Sequence, residues 1–312
     1  MTKQPISIIA LMSLAACGGG GGGGGGKELP QAPQIPFSNG AATPISGANN
    51  IIKSGVDSVR FPAKVGPGSL STSGNSLTGY SLARTGSDLV LGGGGREVKF
   101  NLNSDFMAGS DFIFASKSQA GEASANNDMV VLGGKKLGLE YADFGVWKSS
   151  SATSATSVRN ADVPFFIADN NMKSNMPTTN KTFTGKAVGS AYDYTNGNNN
   201  VKDIAGLATL NFNSSTNRME MTLAFDGFYT FTFTPNYSVA NGSYGAGSYN
   251  STSVAVSGNA GGTGISFTSG TYMANVVGQF YGASQGAPSE TAGTFMLNSG
   301  SVKGIIGAFG AK

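Results

Sequence analysis

The amino-acid sequence predicts an all-β protein, and two observations support this prediction. The chain of 312 residues contains 48 glycines and only 12% charged residues, so it is rich in turn formers and poor in helix formers. From about residue 50 onward, apolar and polar residues alternate with a period of two, which is typical of strands with one buried and one exposed face. With 39% apolar residues, the chain can also bury a core.

The clearest alternation predicts a three-stranded meander in the second half of the chain. Apolar and polar residues alternate over Ala208–Phe212, Met219–Phe225 and Tyr229–Thr234, and short polar segments separate the three runs. Further candidate strands are Phe183–Ala191, Ser253–Ser257, Gly264–Thr268, Thr271–Tyr281, Gly293–Leu297 and Ser301–Phe309. About eight strands in all predict an eight-stranded antiparallel β-barrel over residues 181–312.

Residues 47–180 predict a second β-rich part, an irregular β-sandwich-like domain with longer linkers. Candidate strands lie near residues 57–61, 76–83, 88–91, 97–102, 112–116, 129–132 and 137–147, and the last of them carries the sole tryptophan, Trp147. The segment Lys148–Ala161 is mostly Ser, Ala and Thr and is predicted to be a loop. A polar stretch, Asp169–Asn180, places the boundary between the two parts near Asn180.

The first residues predict a bacterial lipoprotein. Lys3 precedes the apolar stretch Ile6–Ala16, and Leu14-Ala15-Ala16-Cys17 has the pattern of a lipobox. The apolar stretch is too short to cross a bilayer, which takes about 20 residues. We therefore expect a signal peptide over residues 1–16 and acylation, of the palmitate type, at Cys17, the sole cysteine. An ordinary signal peptide with an incidental cysteine is the alternative.

Residues 17–46 predict a flexible tether behind the acylated Cys17. Gly18–Gly26 is an unbroken run of nine glycines, and a polar stretch with four prolines follows it. Gly18 stands where an inner-membrane lipoprotein usually carries Asp, so delivery to the outer membrane is expected. An integral outer-membrane barrel is the alternative architecture. The lipidated cysteine, the tether and Lys312 in place of a terminal aromatic residue disfavour it.

The composition disfavours several function classes. Histidine is absent, which removes Ser-His-Asp and Cys-His triads and imidazole metal sites. A formal net charge of +3 without basic clusters does not favour a nucleic-acid partner. No enzyme activity is expected, since catalysis would rest on tyrosine or on carboxylate pairs such as Asp105 with Asp111 or Asp193 with Asp203. No cofactor is expected either, because haem would depend on Tyr or Met ligands.

Segments of the second half resemble a family of surface lipoproteins. Val277–Phe295, which contains Gly-Gln-Phe-Tyr-Gly and then Glu290, resembles the penultimate-strand signature of transferrin-binding-protein-B-like, Slam-dependent lipoproteins. Gly304–Lys312 is similar to the last strand of their barrel, and Phe183–Ala187 to the opening one. Tyr141–Trp147 weakly resembles the handle domain that precedes the barrel. With one handle and one barrel, the chain is most similar to HpuA-type haemoglobin–haptoglobin utilisation lipoproteins or to a haemophilin.

This resemblance implies a lipid-anchored protein at the cell surface, on the outer membrane, carried there by a Slam-type translocator. It implies capture of host haemoglobin, with or without haptoglobin, or of another host serum protein. A TonB-dependent outer-membrane receptor would be the second partner, and the role would be haem-iron acquisition. Haemophilin-like haem binding, and capture of transferrin or factor H, are the alternatives.

Aromatic residues among Asn, Gly and Ser are the candidate contacts for a host protein. Tyrosine gives a large contact area at a low cost in conformational entropy. Ordinary packing on the barrel or in the core is the alternative for each candidate. Glu290 is expected to accept hydrogen bonds from the turn between the last strands. The candidate contact residues are Tyr192, Tyr194, Tyr237, Tyr244, Tyr249, Phe165 and Phe166.

Overall fold

A computed structural model describes residues 63–312, with gaps at 66–68, 72–79, 86–87, 94–95, 120–125, 154–155, 169–173, 194, 196–199, 238–247, 252–253, 268–271, 284–286 and 300–302. The predicted signal peptide, Cys17, the tether and the candidate strand at residues 57–61 lie outside the described residues. Almost every described element is a strand, so the predicted all-β class is confirmed.

Ten strands are described before residue 169, and they form two antiparallel sheets. The strands are β1 (Ala63–Val65), β2 (Ser69–Ser71), β3 (Tyr80–Thr85), β4 (Asp88–Gly93), β5 (Arg96–Asn101), β6 (Met107–Ala108), β7 (Ile113–Gln119), β8 (Asn126–Leu132), β9 (Ala142–Thr153) and β10 (Thr156–Ala168). A seven-stranded sheet has the order β2-β1-β10-β9-β8-β7-β6, and β3, β4 and β5 form a three-stranded sheet. A single helical turn, α1 (Gly134–Leu137), separates β8 from β9.

The longest hairpin of this region lies where a loop was predicted. β9 and β10 pair from Ala142 with Ala168 up to Thr153 with Thr156, so the prediction of a loop over residues 148–161 is wrong. The predicted strand at 137–147 begins only at Ala142, because α1 and the turn after it occupy residues 134–141.

Ten strand segments are described after residue 180, and they form the second large sheet. The segments are β11 (Lys181–Asp193), β12 (Asn200–Asn213), β13 (Arg218–Phe225), β14 (Thr230–Phe233), β15 (Asn236–Tyr237), β16 (Ser248–Ser251), β17 (Val254–Ser257), β18 (Met273–Tyr281), β19 (Glu290–Ser299) and β20 (Lys303–Ala311). The order in the sheet is β15-β16-β18-β19-β20-β11-β12-β13-β14-β17.

The pairing closes this sheet into a barrel. Phe233 of β14 pairs with Val254 of β17, and Tyr237 of β15 pairs with Tyr249 of β16. Residues 230–237 and 248–257 therefore act as two strands of one hairpin, each divided into two segments. Since β14 also pairs with β13 and β16 with β18, the ten segments make a ring of eight strands. The predicted eight-stranded antiparallel barrel is confirmed.

Aromatic and aliphatic side chains fill the interior of this barrel. Phe280 of β18 packs between Phe183 and Tyr249, with ring centroids 5.3 and 5.1 Å away. Each of the three rings is buried. The same core continues through the aromatic residues of β13, β14, β19 and β20. The interior is thus used for stability, as expected for a barrel of this size.

The predicted strand Gly264–Thr268 is wrong. Residues 264–267 form an irregular segment after a short 3₁₀ turn at Gly261–Thr263. The alternation there arises because Ile265 and Phe267 point into the barrel core. The Phe267 backbone N–H donates a 3.0 Å hydrogen bond to the Tyr229 hydroxyl, which fixes the segment across one end of the barrel.

Both faces of the seven-stranded sheet are covered. One face packs against the three-stranded sheet in a core that includes Phe100 and Trp147. The other face packs against the outside of the barrel through residues such as Phe144 and Ala308, mainly over β19, β20 and β11. Gly310 permits this contact, because a Cβ atom there would overlap the Phe144 ring. We call residues 63–168 the handle and residues 181–312 the barrel.

The part of the chain that the structure describes contains no helix that is long and apolar enough to cross a membrane.

Candidate docking surface

The predicted tyrosine contacts that the structure describes lie toward opposite ends of the barrel. Asp193 pairs with Asn200 at one end, and Asn213 pairs with Arg218 at the other. Tyr192 belongs to the first end, whereas β15 and β16, which carry Tyr237 and Tyr249, reach the second. A strand of 13 residues such as β11 is roughly 40 Å long. Tyr192 and the pair Tyr237 and Tyr249 are therefore too far apart to form the centre of a single contact surface.

Tyr192 is buried on the outer wall of the barrel. Its side chain packs with Ile306 and the half-buried Val201, above Gly304, whose missing side chain leaves room for the phenol ring. Burial raises the pKa of the Tyr192 hydroxyl above its usual value. The fully covered ring offers no area to a partner in this conformation.

Tyr249 is buried in the barrel interior. Its ring lies against Gly278, where a Cβ atom would overlap it, and against Phe280. Its hydroxyl shares a 2.6 Å hydrogen bond with that of Thr291. Burial raises the pKa of the Tyr249 hydroxyl, and the Thr291 bond opposes this. These contacts are those of a core residue.

Phe165 and Phe166 point to the two covered faces of the handle sheet. Phe165 is fully buried in the core shared with the three-stranded sheet. Phe166, on the opposite face, is partly buried against the handle–barrel contact. Two consecutive apolar residues occur here because the strand is covered on both sides.

The other three predicted tyrosine contacts stay predictions. Tyr194 and Tyr244 lie outside the described residues. Tyr237 is in β15, but its side chain is not among those described.

An uncharged outer surface of the barrel lies opposite the handle. In the ring of eight strands, the segment 230–237 is four strands from β20, at the centre of the handle contact. The outward-facing residues on β12, β13, β14 and β17 are aligned in two rows by the strand pairing, and we call them the threonine face. The first row is Leu207, Ala224, Thr230 and Ser257, and the second is Thr209, Thr222, Thr232 and Ala255.

The threonine face shares one feature with an interface centre, namely the lack of charged side chains. Leu207 is 53% exposed, and the other members are exposed or partly exposed. Among the described residues, the charged side chains near this face lie around its edge, where Lys202, Arg218, Glu220 and Asp226 are exposed. Protein interfaces commonly combine a charge-depleted centre with a polar rim. Four strands about 4.8 Å apart make this centre smaller than the ~800 Å² that one partner buries in a standard interface. A contact would therefore extend onto the turn at 213–218.

Sequence reasoning assigned some of these positions to the exposed faces of strands but did not bring them together in one surface. Thr209, Thr222, Thr230 and Thr232 are already the polar members of the alternating runs. Their side-by-side arrangement depends on register, since a shift of one residue would turn a strand's threonines inward. On its second side β14 pairs with β17, and the residues that join these two strands show no short turn from which the register could be predicted.

Glu290 joins the barrel to the handle. Its carboxylate accepts hydrogen bonds from the backbone N–H groups of Glu140, Tyr141 (3.0 Å) and Ala142 (3.2 Å). The expectation that Glu290 bonds to its own turn is therefore wrong, because the donors lie at the start of β9. Burial raises the pKa of Glu290, and the three backbone donors oppose this.

A buried ion pair also joins the handle to the barrel. The Lys148 ammonium of β9 contacts the Asp203 carboxylate of β12, and both side chains are almost fully buried. The ammonium also donates to the Ser190 hydroxyl at 3.4 Å. A charge pair in so buried a position restricts how the two parts can sit against each other.

The four candidate catalytic aspartates are each paired with a lysine. Asp105 contacts Lys117 at 2.6 Å, Asp111 contacts Lys186 at 3.1 Å and Asp193 contacts Lys303 at 3.0 Å, while Asp203 contacts Lys148. Asp193 and Asp203 are not opposite each other in the sheet, since Asp193 pairs with Asn200 and Asp203 with Ser190. The arrangement is that of structural ion pairs.

An open cleft of about 350 Å³ lies where the handle meets the barrel. Its lining includes Glu140, Ser289, Glu290 and Lys312. The Lys312 ammonium donates to the Gly138 carbonyl at 3.2 Å, and the Glu290 carboxylate is engaged by backbone N–H groups. These polar groups join the two parts of the protein, so the cleft belongs to the junction.

No protein-family model matches the chain, and no curated protein matches it in sequence. Among solved structures, intact Ap-TbpB with its N and C lobes gives a TM-score of 0.45 at 15% identity, over 81% of this chain and 45% of that one. Isotype 1 transferrin-binding protein B from serogroup B Neisseria meningitidis gives 0.44 at 14% identity, over 81% and 43%. A Tyr-167-Ala, Trp-176-Ala double mutant of transferrin-binding protein B from Haemophilus parasuis Hp5 gives 0.45 at 17% identity, over 82% and 44%.

The chain thus spans less than half of the length of each of these three proteins. At these TM-scores the likeness assigns neither a ligand nor a site residue to this chain.

Proposed function

We propose that the protein is a lipid-anchored receptor on the outer surface of the outer membrane that captures a host protein through the threonine face. The ligand is haemoglobin, with or without haptoglobin, and a TonB-dependent receptor takes up the haem iron. Lipidation of Cys17 and export by a Slam-type translocator belong to the same proposal. The assignment to this class of surface lipoprotein rests on the lipobox, the tether and the barrel signature around Phe280 and Glu290.

The threonine face is the observation that supports docking of a macromolecule. It is uncharged, has the half-exposed Leu207 in one row, and lies on rigid, paired strands opposite the handle. The barrel core, in turn, is filled with side chains, which supports binding on the outside. A rigid surface costs little conformational entropy when a partner docks.

A pull-down from whole serum and from haemolysate tests the ligand. Detergent-solubilised full-length protein is immobilised, and we expect it to retain haemoglobin, alone or with haptoglobin. After incubation with free haemin and washing, it should show no Soret band. A stoichiometric haemin complex would instead support the haem-binding alternative. Retention of transferrin or factor H would keep the capture role and change the ligand. Retention of no host protein would contradict the capture role.

Substitutions in the threonine face test the surface. We expect the double variant Leu207→Asp, Thr222→Asp to bind the retained protein about 10- to 100-fold more weakly, which corresponds to about 1–3 kcal/mol, because buried carboxylates would replace neutral contacts. Ser266→Asp is the matched control, since Ser266 is exposed at the end of the barrel closed by Tyr229 and Phe267. Unchanged affinity of the double variant would remove the threonine face from the interface, and loss of binding by Tyr244→Ala would then place the contact at residues 238–247.

A further inference from the structure

Side chains and a turn close the outer edge of β5, the last strand of the three-stranded sheet. Among the described strands, β5 pairs only with β4. The Lys117 ammonium of β7 donates a hydrogen bond to the Lys99 carbonyl. At the end of β5, the Asp105 carboxylate accepts from the Asn101 backbone N–H at 2.8 Å, and the Asp105 backbone N–H donates to the Asn101 carbonyl at 2.9 Å. Backbone groups that a further strand would use are thus already occupied.

These contacts form one connected cluster at the open side of the handle. The Lys117 ammonium contacts the Asp105 carboxylate at 2.6 Å and lies 5.5 Å from the centre of the Phe100 ring, within the range of a cation–π interaction. Lys117 therefore reaches from the seven-stranded sheet to the three-stranded sheet. Because both Lys117 and Asp105 remain partly exposed, a second chain can reach them. A lysine at a strand edge is a common device against pairing between molecules.

The sequence of β5 is self-complementary for antiparallel pairing. Lys99 and Asn101 direct backbone groups away from β4, so Glu97, two residues before Lys99, does the same. Two copies of β5 that pair about Val98 would place Glu97 of one copy opposite Lys99 of the other, twice by symmetry. Opposite charges at facing positions stabilise a strand pair. This pairing requires the Lys99 carbonyl, which is the group that Lys117 occupies.

We propose that the outer edge of β5 is a pairing surface for a second copy of this chain, and that Lys117 together with Asp105 keeps it closed. An arriving strand must displace a hydrogen bond from an ammonium group, which is stronger than the neutral bond that would replace it. Without this cluster, two three-stranded sheets can join into one sheet of six strands. The three-stranded sheet covers the handle face that points away from the barrel. Pairing there leaves the threonine face uncovered and does not depend on its role.

Sedimentation equilibrium of the full-length protein in a density-matched detergent tests this proposal. Lys117→Met keeps an unbranched apolar stem next to Phe100 and removes the ammonium. We expect this variant to form dimers with an association constant about 10- to 100-fold above that of the wild type, because no charged hydrogen bond competes. Lys117→Arg, which retains a charged donor, should behave as the wild type does. So should Lys186→Met, which breaks the partly exposed pair with Asp111 elsewhere in the protein. Unchanged association of Lys117→Met would overturn the proposal.

Charge reversal tests the pairing register. Adding Lys99→Glu to Lys117→Met places two acidic residues opposite each other, and we expect the association constant to return to the wild-type value. Adding Glu97→Lys as well restores opposite charges and should restore the dimer. An association constant that does not respond to Lys99→Glu would contradict pairing through β5. Circular dichroism checks that each variant is folded, and Lys117→Ala replaces Lys117→Met if that variant is not.

Discussion

Phe280→Ala is expected to destabilise the protein by about 3–5 kcal/mol. The Phe280 ring is fully buried between Phe183 and Tyr249. Its removal leaves a cavity that paired strands cannot close, because their spacing is set by backbone hydrogen bonds. Since the total stability of a folded protein is about 5–15 kcal/mol, the variant should lose a large part of it. Equilibrium unfolding in urea, followed by circular dichroism, measures the change.

Two further variants serve as controls for the effect of Phe280→Ala on stability. Leu207→Ala removes a large apolar side chain from the exposed threonine face and should change the stability by less than about 0.5 kcal/mol. Tyr249→Ala should resemble Phe280→Ala in its effect, because it empties the neighbouring part of the core and leaves the Thr291 hydroxyl without this partner. A small effect of Phe280→Ala, similar to that of Leu207→Ala, would contradict the packed interior.

Lys148→Met is expected to cost about 3–5 kcal/mol, because it leaves the Asp203 carboxylate buried without its ammonium partner. The pair connects β9 of the handle with β12 of the barrel, so the loss falls on the contact between the two parts. Urea unfolding measures it, with Trp147 fluorescence for the handle and circular dichroism for the whole chain. Trp147 is suitable because it is the sole tryptophan and is buried next to Lys148 in the chain.

A second substitution and a surface pair serve as controls. Lys148→Met combined with Asp203→Leu removes both charges and should recover most of the lost stability, since an apolar pair of similar volume can replace a buried ion pair. Lys117→Met breaks the more exposed pair with Asp105, whose side chains are 41% and 24% exposed, and should cost at most about 1 kcal/mol. Equal costs for Lys148→Met and Lys117→Met would rule out a special role for the buried pair.

The barrel strands could be predicted because alternation is a strong signal where one face is buried and the other is wet. β12, β13 and β14 meet this condition, and their buried and exposed residues alternate as predicted. The β9–β10 hairpin did not give the signal, because residues 149–153 are Ser, Ala and Thr and show no apolar alternation. Residues 264–267 gave a false signal, since Ile265 and Phe267 point inward from an irregular backbone.

The candidate contacts could be predicted less well, because burial on the outside of a barrel depends on what covers it. Its position before an Asn-rich stretch predicts that Tyr192 is exposed. The residue does face outward from β11, but other side chains cover it. Phe165 and Phe166 are apolar together because two different layers cover the handle sheet. Neither layer can be inferred from spacing along the chain. The register that aligns the threonine face is likewise a property of strand pairing across the ring.

The closure of the barrel has a kinetic consequence. β20 is buried on both faces and lies between β19 and β11, with Gly185 of β11 opposite Ala311 of β20. This pairing joins the first and last strands of the ring, so the core cannot close until the whole stretch from β11 to β20 is available. Contacts of such long range make folding slow. Formation of the barrel therefore waits for the last strand, and removal of β20 is expected to leave β11 and β19 without their common neighbour.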